Sequence, residues 1–332
     1  MYMRPSVAPV DGADRSALEQ FASDVEYYLA LTPKQLPSRY FYDALGSALF
    51  EAITQLPWYG ITRSERALLA RRGREILAHA EPLSTLVELG PGSGEKLATL
   101  IAAGRVLGRR LTVHLIDVSS AALDLASRTL AALDAPDAVE VVTHQAAYEA
   151  GLAEAVAARR GAGRTMTLLL GSNIGNFDPP GADAFLCSVR AALAAGDALL
   201  LGTDLVKAAP ALLLAYDDPL GVTAAFNRNL LVRINRELGA NFDLDAFHHR
   251  AVWNAEESRV EMHLVSTSRQ PVIIPASSLD VTFEEGETIW TESSYKYRPD
   301  EVVAMLEHAG FERMDQWIDE VDGFALTLVV AA

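Results

Sequence analysis

The stretch "LVELGPGSGEK" (residues 86–96) joins an apolar run to three closely spaced glycines and a Glu-Lys pair. An apolar run that leads directly into glycines is typical of a buried strand followed by a tight turn. Glycine permits positive φ angles and lets a ligand approach the backbone closely. Since open α/β sheets bind ligands at the carboxyl ends of their strands, this stretch predicts a ligand-binding turn.

Four further apolar runs of similar length follow along the chain. They are "LTVHLID" (111–117), "VEVVTH" (139–144), "TMTLLLG" (165–171) and "DALLLGTD" (197–204). Runs of this kind, bounded by turn residues, are typical of buried parallel strands. Stretches rich in alanine and leucine separate them, so strand and helix alternate. The pattern predicts an α/β fold with a doubly wound, Rossmann-like sheet.

The pattern changes after residue 204. An amphipathic helix is predicted over residues 225–238, and antiparallel strands are predicted over residues 259–297 with a turn at Glu285 and Gly286. A last helix and two strands at the C-terminal end can complete the first sheet. Two predicted domains result: a sheet domain of residues 63–206 plus 297–332, and a smaller α+β substrate-binding domain of residues 1–62 plus 207–296.

Charge and composition limit the class of protein. The formal net charge is −16, from 44 acidic and 28 basic residues, so a nucleic-acid partner is not expected. No apolar run reaches the ~18 residues of a membrane span, and the first residues lack the pattern of a signal peptide. We therefore expect a cytoplasmic protein without a membrane partner, and a monomer. The single cysteine, Cys187, excludes an intrachain disulfide and is predicted to be a small core or boundary residue.

The glycine-rich turn suits an adenosine-bearing ligand when it is combined with Asp117. Asp117 closes the second predicted strand, where its carboxylate can accept hydrogen bonds from two ribose hydroxyls. Glu95 stands where a dinucleotide fingerprint has its last glycine, and no G-K-[S/T] is present. A nicotinamide-dependent reductase and a P-loop protein are therefore disfavoured. The alternative is a tight turn and a solvated helix cap without a ligand.

Two further polar segments are candidates for a substrate site. In the turn "GSNIGNF" (171–177), Asn176 can bind a carboxylate or an amine, or can serve only as a turn residue. In "TESSYKY" (291–297), Glu292 and Ser294 have the same strand parity and point to one face. That face can orient a substrate N–H, or it can be an ordinary exposed face. The seven histidines fit no ligand spacing, so no metal site is expected.

Several long motifs occur in one order along nearly the whole chain. They are "LTPKQLPSRYFYDALGSALFEAITQLP", "VELGPGSGEK", "GSNIGNF", "LLGTDLVK", "YDDPLGVTAAFNRN", "INRELGANFDLDAF", "TESSYKY" and "GFALTLVVA". In these motifs the chain resembles the histidine-specific, S-adenosylmethionine-dependent Nα-methyltransferases of ergothioneine biosynthesis. The resemblance implies a class I methyltransferase domain with a smaller domain that closes over L-histidine. It also implies S-adenosylmethionine as methyl donor, S-adenosylhomocysteine as product, and conversion of histidine to the trimethylated betaine hercynine.

The resemblance further implies which residues form the site. The cofactor-binding residues are Gly90, Gly92, Lys96, Asp117, Ala147 and Tyr148. The substrate-binding residues are Tyr59, Asn176, Tyr216, Met262, Glu292 and Ser294. Tyr42 and Gly171 are implied to position the amine, and no residue is expected to act as nucleophile or dedicated base.

Within that set we expect Asn176 and Tyr216 to hold the α-carboxylate of histidine. Glu292 and Ser294 are expected to hold the imidazole nitrogens, and Met262 is expected to form an apolar wall near the ring.

The chain departs from the family pattern at three places. Ala147 and Tyr148 stand where the family commonly has an aspartate followed by an aromatic residue, and Asn173 stands where the family often has threonine. The loop "PWYGITR" (57–63) replaces a version with two tyrosines. These departures leave open a methyltransferase of the same family that acts on another amino acid or amine. A binding module with the same fold and no catalytic activity is the rival from another class.

Overall fold

The computed structural model describes residues 12–104, 110–133, 139–159 and 163–332. The helices in this part of the chain are α1 (Gly12–Leu29), α2 (Ala44–Thr54), α3 (Gly60–His79), α4 (Glu95–Gly104), α5 (Ser120–Ala131), α6 (Tyr148–Ala157), α7 (Pro179–Ala192), α8 (Ala209–Tyr216), α9 (Val222–Leu238) and α10 (Pro299–His308). The strands are β1 (Lys34–Gln35), β2 (Leu83–Leu89), β3 (Leu111–Asp117), β4 (Val139–Gln145), β5 (Arg164–Leu169), β6 (Ala198–Asp204), β7 (Phe247–Asn254), β8 (Arg259–Ser266), β9 (Gln270–Ile274), β10 (Leu279–Phe283), β11 (Thr288–Tyr295), β12 (Phe311–Asp319) and β13 (Phe324–Ala331).

A seven-stranded sheet in the order β12-β13-β6-β5-β2-β3-β4 forms the centre of the molecule. The strands from β6 to β4 in this order are parallel to their neighbours. The two last strands of the chain join them as an antiparallel edge, as the sequence predicted. This arrangement is an α/β, doubly wound sheet, and the carboxyl ends of its parallel strands lie along one edge, where such sheets bind ligands.

The burial of the central strands explains why their sequences are almost continuously apolar. Every residue of β6 is buried, and β2 is nearly as enclosed. Along β6, Leu200 packs into the core on one face of the sheet, while Leu199 and Leu201 pack into the core on the other face. Helices cover both faces, so neither side of a central strand needs polar residues.

A second sheet in the order β1-β11-β8-β7 lies against α8 and α9, and β9 pairs with β10 in a separate two-stranded ribbon. Along β8 the residues alternate between buried and half-buried, which is the pattern of a strand with one packed face. The predicted turn is present, and Gly286 adopts a positive φ of 81°. The turn does not close a hairpin, however, because β10 pairs with β9 whereas β11 pairs with β8.

The division into two domains stays a prediction. It is supported by the separation of the sheets, since the central sheet draws its strands from residues 83–204 and 311–331, and the second sheet from residues 34–35 and 247–295. The predicted boundary at residue 62 falls inside α3, which packs against α4.

The prediction that Cys187 is a core or boundary residue is wrong, because its thiol is exposed. On α7 the buried positions are Phe185, Leu186 and Val189, and the helical period places residue 187 on the opposite side. In the described part of the chain, no helix combines the length and the apolar character needed to cross a bilayer.

The buried carboxylate of Asp218 fixes the start of α9, a helix that lines the site described below. It accepts backbone hydrogen bonds from Leu220, Val222 and Thr223. We predict that Asp218→Ala lowers the free energy of unfolding by about 1–3 kcal/mol, because it leaves the buried N–H of Thr223 and the two part-buried donors without an acceptor. Urea unfolding at neutral pH measures the loss. Asp217→Ala, at the exposed neighbouring position, is the matched control and should unfold like the unsubstituted protein.

The same contacts give the effect a pH dependence. Burial opposes ionisation of Asp218, but the hydrogen bonds from Thr223 and its neighbours outweigh it and lower the pKa of the carboxyl below that of an ordinary aspartate. A lowered pKa in the folded state means that the stabilisation is complete above the pKa of the unfolded chain and is lost as the pH falls through the folded value. The two unfolding curves should therefore converge in acid, and a constant difference down to the lowest pH would contradict this role.

Candidate active site

Two adjoining cavities open at the carboxyl edge of the central sheet. The larger has a volume of about 620 Å³, within the range of cavities that hold small-molecule ligands. The smaller lies between the sheet edge, α8, α9 and β11. Residues that line both cavities join them into one continuous site; they include Tyr42, Phe50, Tyr59, Gly171, Asn173 and Asn176.

The structure places all the predicted cofactor-binding residues around the larger cavity. These residues are Gly90, Gly92, Lys96, Asp117, Ala147 and Tyr148. They come from the ends of β2, β3 and β4 and from the starts of the helices that follow.

The turn after β2 depends on glycine at position 90. Gly90 has a φ of +75°, in the region that side chains rarely tolerate. A Cβ atom there would lie 2.5 Å from the hydroxyl of Tyr148 and 3.0 Å from the side-chain nitrogen of Asn173. The absence of a side chain thus lets Tyr148 and Asn173 close over the turn, and the backbone of the turn stays accessible from the cavity.

Asp117 and Glu88 supply carboxyl groups to the larger cavity. Asp117 accepts a hydrogen bond from the backbone N–H of Ser119 at 2.8 Å. Burial raises the pKa of Asp117, and the backbone hydrogen bonds at its oxygens oppose the rise. Burial raises the pKa of Glu88 to about 8, with the ammonium of Lys96 opposing. Within the described residues, one oxygen of Glu88 is buried without a hydrogen-bond partner, so it is available to a bound ligand.

Glu65 on α3 organises the wall between the two cavities. Its carboxylate is fully buried and accepts the backbone N–H of Gly171 at 2.9 Å. The ammonium of Lys96 lies 2.6 Å from the same carboxylate. Gly171 has a φ of +76°, and a Cβ atom there would lie 3.0 Å from the nitrogen of Lys96. Glu65 was not predicted from the sequence, because an acid in a helix rich in charged residues has the pattern of a solvated position.

The smaller cavity contains every residue predicted to bind substrate or to position its amine. The set is Tyr42, Tyr59, Gly171, Asn176, Tyr216, Met262, Glu292 and Ser294. The pairing of β11 with β8 sets Glu292 opposite Met262. Thr223 and Phe226 of α9 also line this cavity and were not predicted.

Aromatic rings form much of the wall of the smaller cavity. The ring centres of Tyr42 and Phe226 are 5.8 Å apart, and those of Phe50 and Tyr59 are 6.3 Å apart. Tyr59 lies edge-on to Tyr216 at 6.4 Å. Rings in such arrangements present both an apolar surface and an electron-rich face, which attracts cations.

Lys296 lies directly behind this wall. Its buried ammonium is 3.0 Å from the carboxylate of Asp204 and donates hydrogen bonds to the hydroxyls of Tyr216 and Ser294, at 2.8 and 2.9 Å. The hydroxyl of Tyr216 in turn donates to Ser294 at 2.8 Å. Lys296 was not predicted, although it has the same strand parity as Glu292 and Ser294, and that parity is the signal that indicates it.

Glu292 is the acidic group of the smaller cavity. Burial raises its pKa to about 7, and the positive charge of Lys296 opposes the rise. Its carboxyl group is therefore poised between the charged and neutral forms near neutral pH.

Among the described residues, one group of three potential metal ligands comes close together: Glu75, His79 and Asp315. None of the three lines either cavity.

Comparison with known proteins agrees with this geometry. Residues 21–331 match the family described as histidine-specific, SAM-dependent methyltransferase. The chain is 43% identical to the histidine N-alpha-methyltransferase of Mycolicibacterium smegmatis, over 99% of this chain and 100% of that protein.

Two further relatives extend the comparison. Identity to the histidine N-alpha-methyltransferase of Mycobacterium tuberculosis is 45%, over 98% of this chain and 99% of that protein. Ergothioneine biosynthesis protein 1 of Schizosaccharomyces pombe is 27% identical over 94% of this chain and 41% of its own length. The chain belongs to the family of histidine-specific, S-adenosylmethionine-dependent methyltransferases.

Proposed function

We propose that this protein transfers methyl groups from S-adenosylmethionine to the α-amine of L-histidine and forms the betaine hercynine, a step of ergothioneine biosynthesis. The observation that carries the proposal is the meeting of Glu292 and Ser294 on one wall of a cavity that opens into the larger cavity at the sheet edge. The names of the relatives support the same substrate and pathway.

The residues around the larger cavity fit S-adenosylmethionine. When the donor is bound, Asp117 would accept hydrogen bonds from the ribose hydroxyls, Gly90 and Gly92 would let it approach the backbone, and Lys96 would hold its amino-acid end. Ala147 and Tyr148 would contact the adenine, and the ring of Tyr148 could stack on it. When bound, S-adenosylmethionine supplies a methyl group that its sulfonium already activates.

The enzyme's own task is to present a neutral amine to that methyl group. A free α-amine is mostly protonated at neutral pH, so the site must bind the minor neutral form or release a proton to water. Tyr42 and Gly171 lie at the junction of the two cavities, where they can orient the amine in line with the methyl group. Asn176 is exposed at the same junction and can donate its amide N–H to the α-carboxylate.

Tyr216 was predicted to share the carboxylate with Asn176, and this role stays a prediction. In the structure the hydroxyl of Tyr216 donates to Ser294. To donate to the carboxylate of the substrate, that hydroxyl would have to turn away from Ser294. Its hydrogen bond to Ser294 supports instead a position of Tyr216 beside the substrate ring.

The ring of the substrate fits between Glu292, Ser294 and Met262. The carboxylate of Glu292 accepts a ring N–H, Ser294 contacts the other ring nitrogen, and the buried side chain of Met262 packs against the carbon atoms. An amino acid without a ring N–H would leave the carboxylate of Glu292 without a hydrogen-bond partner. An enzyme can discriminate strongly against substrates that leave a buried polar group unpaired.

The aromatic wall supports repeated methylation. Each transfer makes the nitrogen larger and less able to donate hydrogen bonds, and the third transfer fixes a positive charge on it. The rings of Tyr42, Phe50 and Tyr59 can hold such an ammonium group through cation–π attraction. We further propose that the segments of residues 1–62 and 207–296, which supply these rings and Glu292, act as one substrate-binding domain.

Mass spectrometry of the protein incubated with S-adenosylmethionine and a mixture of all amino acids tests the function. We expect histidine to gain up to three methyl groups while the other amino acids stay unmodified. Methylation of a different amino acid would favour the alternative substrate that the departures at Ala147 and Asn173 leave open. If no amino acid gained a methyl group, the proposal would be wrong.

We predict that Glu65→Gln weakens the binding of S-adenosylhomocysteine about tenfold, as expected when a charge-assisted contact is lost. The amide cannot neutralise Lys96, and its N–H₂ group replaces one of the acceptors of the Gly171 N–H by a second donor. Calorimetric titration measures the affinity. Glu75→Gln on the exposed face of the same helix is the matched control. Equal affinities for both variants would contradict the role given to Glu65.

Glu292→Ala should lower kcat/KM for histidine by at least about tenfold, because the ring N–H loses a charged acceptor. The affinity for S-adenosylhomocysteine should stay nearly unchanged, since Glu292 does not line the larger cavity. A methylation assay and calorimetry give the two values. If kcat/KM for histidine and the affinity for S-adenosylhomocysteine fell by the same factor, a role of Glu292 confined to substrate binding would be refuted.

The pKa of Glu292 predicts a pH dependence of substrate capture. As the pH falls from about 8 to about 6, the acid gains a proton and can no longer accept the ring N–H as an anion. The value of kcat/KM for histidine should therefore fall more steeply in the unsubstituted protein than in Glu292→Gln, which cannot titrate. The titration of histidine itself is common to both proteins. Parallel profiles would show that Glu292 does not control capture.

A further inference from the structure

Lys296 has no accessible surface through which it could contact a ligand. Its side chain is fully buried, and the partners of its ammonium are Asp204, Tyr216 and Ser294. An ammonium has three N–H donors and no acceptor, so these three partners use it completely. Its positive charge also lies 4.7 Å from the centre of the Tyr216 ring.

The hydrogen bonds of Lys296 determine what Ser294 can offer. A serine hydroxyl has two acceptor lone pairs and one donor hydrogen. The oxygen of Ser294 accepts one hydrogen bond from Lys296 and a second one from the hydroxyl of Tyr216. Both lone pairs are thereby engaged, and the hydrogen is the part of the hydroxyl that remains for a ligand in the smaller cavity.

We propose that Lys296 is a positioning residue that fixes Ser294 as a hydrogen-bond donor and so makes the site specific for a ring with one N–H and one unprotonated nitrogen. This inference rests on the proposed function. Glu292 accepts the N–H on one side of the ring, and Ser294 donates to the bare nitrogen on the other side. Neutral imidazole has this combination, whereas imidazolium has two N–H groups and a pyrrole has no bare nitrogen.

Asp204 holds Lys296 in place. It closes β6 at the carboxyl edge of the central sheet, and its backbone N–H donates to the hydroxyl of Ser172 in the turn after β5. Its carboxylate also accepts a hydrogen bond from Lys207 at 2.6 Å. Two ammonium groups therefore share Asp204, but only that of Lys296 reaches Tyr216 and Ser294. The orientation of the Ser294 hydroxyl as a donor thus depends on a residue of the central sheet, Asp204.

The test compares histidine with the two isomers of pyrrolylalanine as methyl acceptors. Each isomer keeps a ring N–H at one nitrogen position of imidazole and has carbon at the other. The isomer with the higher kcat/KM shows how well the site accepts a ring that donates its N–H to Glu292 but offers no acceptor to Ser294. We expect the unsubstituted protein to prefer histidine by at least about tenfold in kcat/KM, because a buried donor is otherwise left unpaired.

Lys296→Met should reduce this preference to about that of Ser294→Ala, since the freed hydroxyl can then turn its lone pairs to the ligand. The change should appear mainly in KM, and the affinity for S-adenosylhomocysteine should be retained. Adding Lys296→Met to Ser294→Ala should change the preference no further. Lys207→Met is the matched control, because it removes the other ammonium from Asp204 without touching Ser294, and it should keep the full preference.

Different outcomes separate the two proposals. A protein that methylates histidine but accepts the better pyrrolylalanine within about twofold overturns the inference about Lys296 and leaves the function standing. If Lys296→Met keeps the full preference for histidine over pyrrolylalanine, the inference about Lys296 is also overturned and the function still stands. If this variant does not fold, Asp204→Asn with Lys296→Met removes both charges of the pair and repeats the test. Failure to methylate histidine at all overturns the function, and the inference with it.

Discussion

The buried carboxylate of Glu65 is the constraint on which the shape of the site depends. A charge without access to solvent must be compensated by nearby donors, or the fold loses several kcal/mol. Glu65 finds its donors in the backbone of Gly171 and the side chain of Lys96. These contacts join α3, the turn after β5 and the start of α4 into one unit. The two cavities meet at this unit, so Glu65 fixes the larger cavity, proposed for the methyl donor, relative to the smaller cavity, proposed for the amine.

Asp204, at the end of β6, is also a buried carboxylate and also requires a nearby cation. Its compensating cation, Lys296, arrives from the end of β11 in the second sheet. A buried ion pair contributes little net stability, because desolvation of the charges offsets their attraction. It does fix geometry, since neither charge can move away without losing its partner. The ion pair thus holds Ser294 and Tyr216 at a defined place beside the carboxyl edge of the central sheet.

The sequence predicted the central sheet and much of the site because the relevant signals are local. A run such as "LTVHLID" is buried on both faces, and β3 has the same bounds as that run. Gly90, Gly92 and Gly94 have positive φ angles, as the glycine turn required. The parity of Glu292 and Ser294 predicted a shared face, and both line the smaller cavity. In each case the chain within a few residues contains the information.

The features that the sequence did not predict depend on contacts between distant segments. Glu65 lies among arginines on α3, and a solvated helix face has the same composition. The turn at Gly286 is recognisable locally, but whether β10 and β11 pair with each other or with earlier strands depends on the packing of the whole second sheet. The small size of Cys187 is compatible with a core position, but its helical phase places it opposite the buried positions of α7.

In the proposed complex, Glu292 and the buried ammonium of Lys296 together determine how the substrate ring is recognised. Burial alone would keep Glu292 protonated, and a protonated acid is a poor acceptor for a ring N–H. The attraction of Lys296 lowers its pKa against that effect and leaves it at about 7, so that a large fraction is ionised near neutral pH. The same ammonium donates to one lone pair of Ser294, and the hydroxyl of Tyr216 donates to the other, which leaves the hydrogen of Ser294 for a ligand. In the proposed complex, one buried cation therefore favours an acceptor on one side of the substrate ring and a donor on the other, which is the pattern that neutral imidazole would complement.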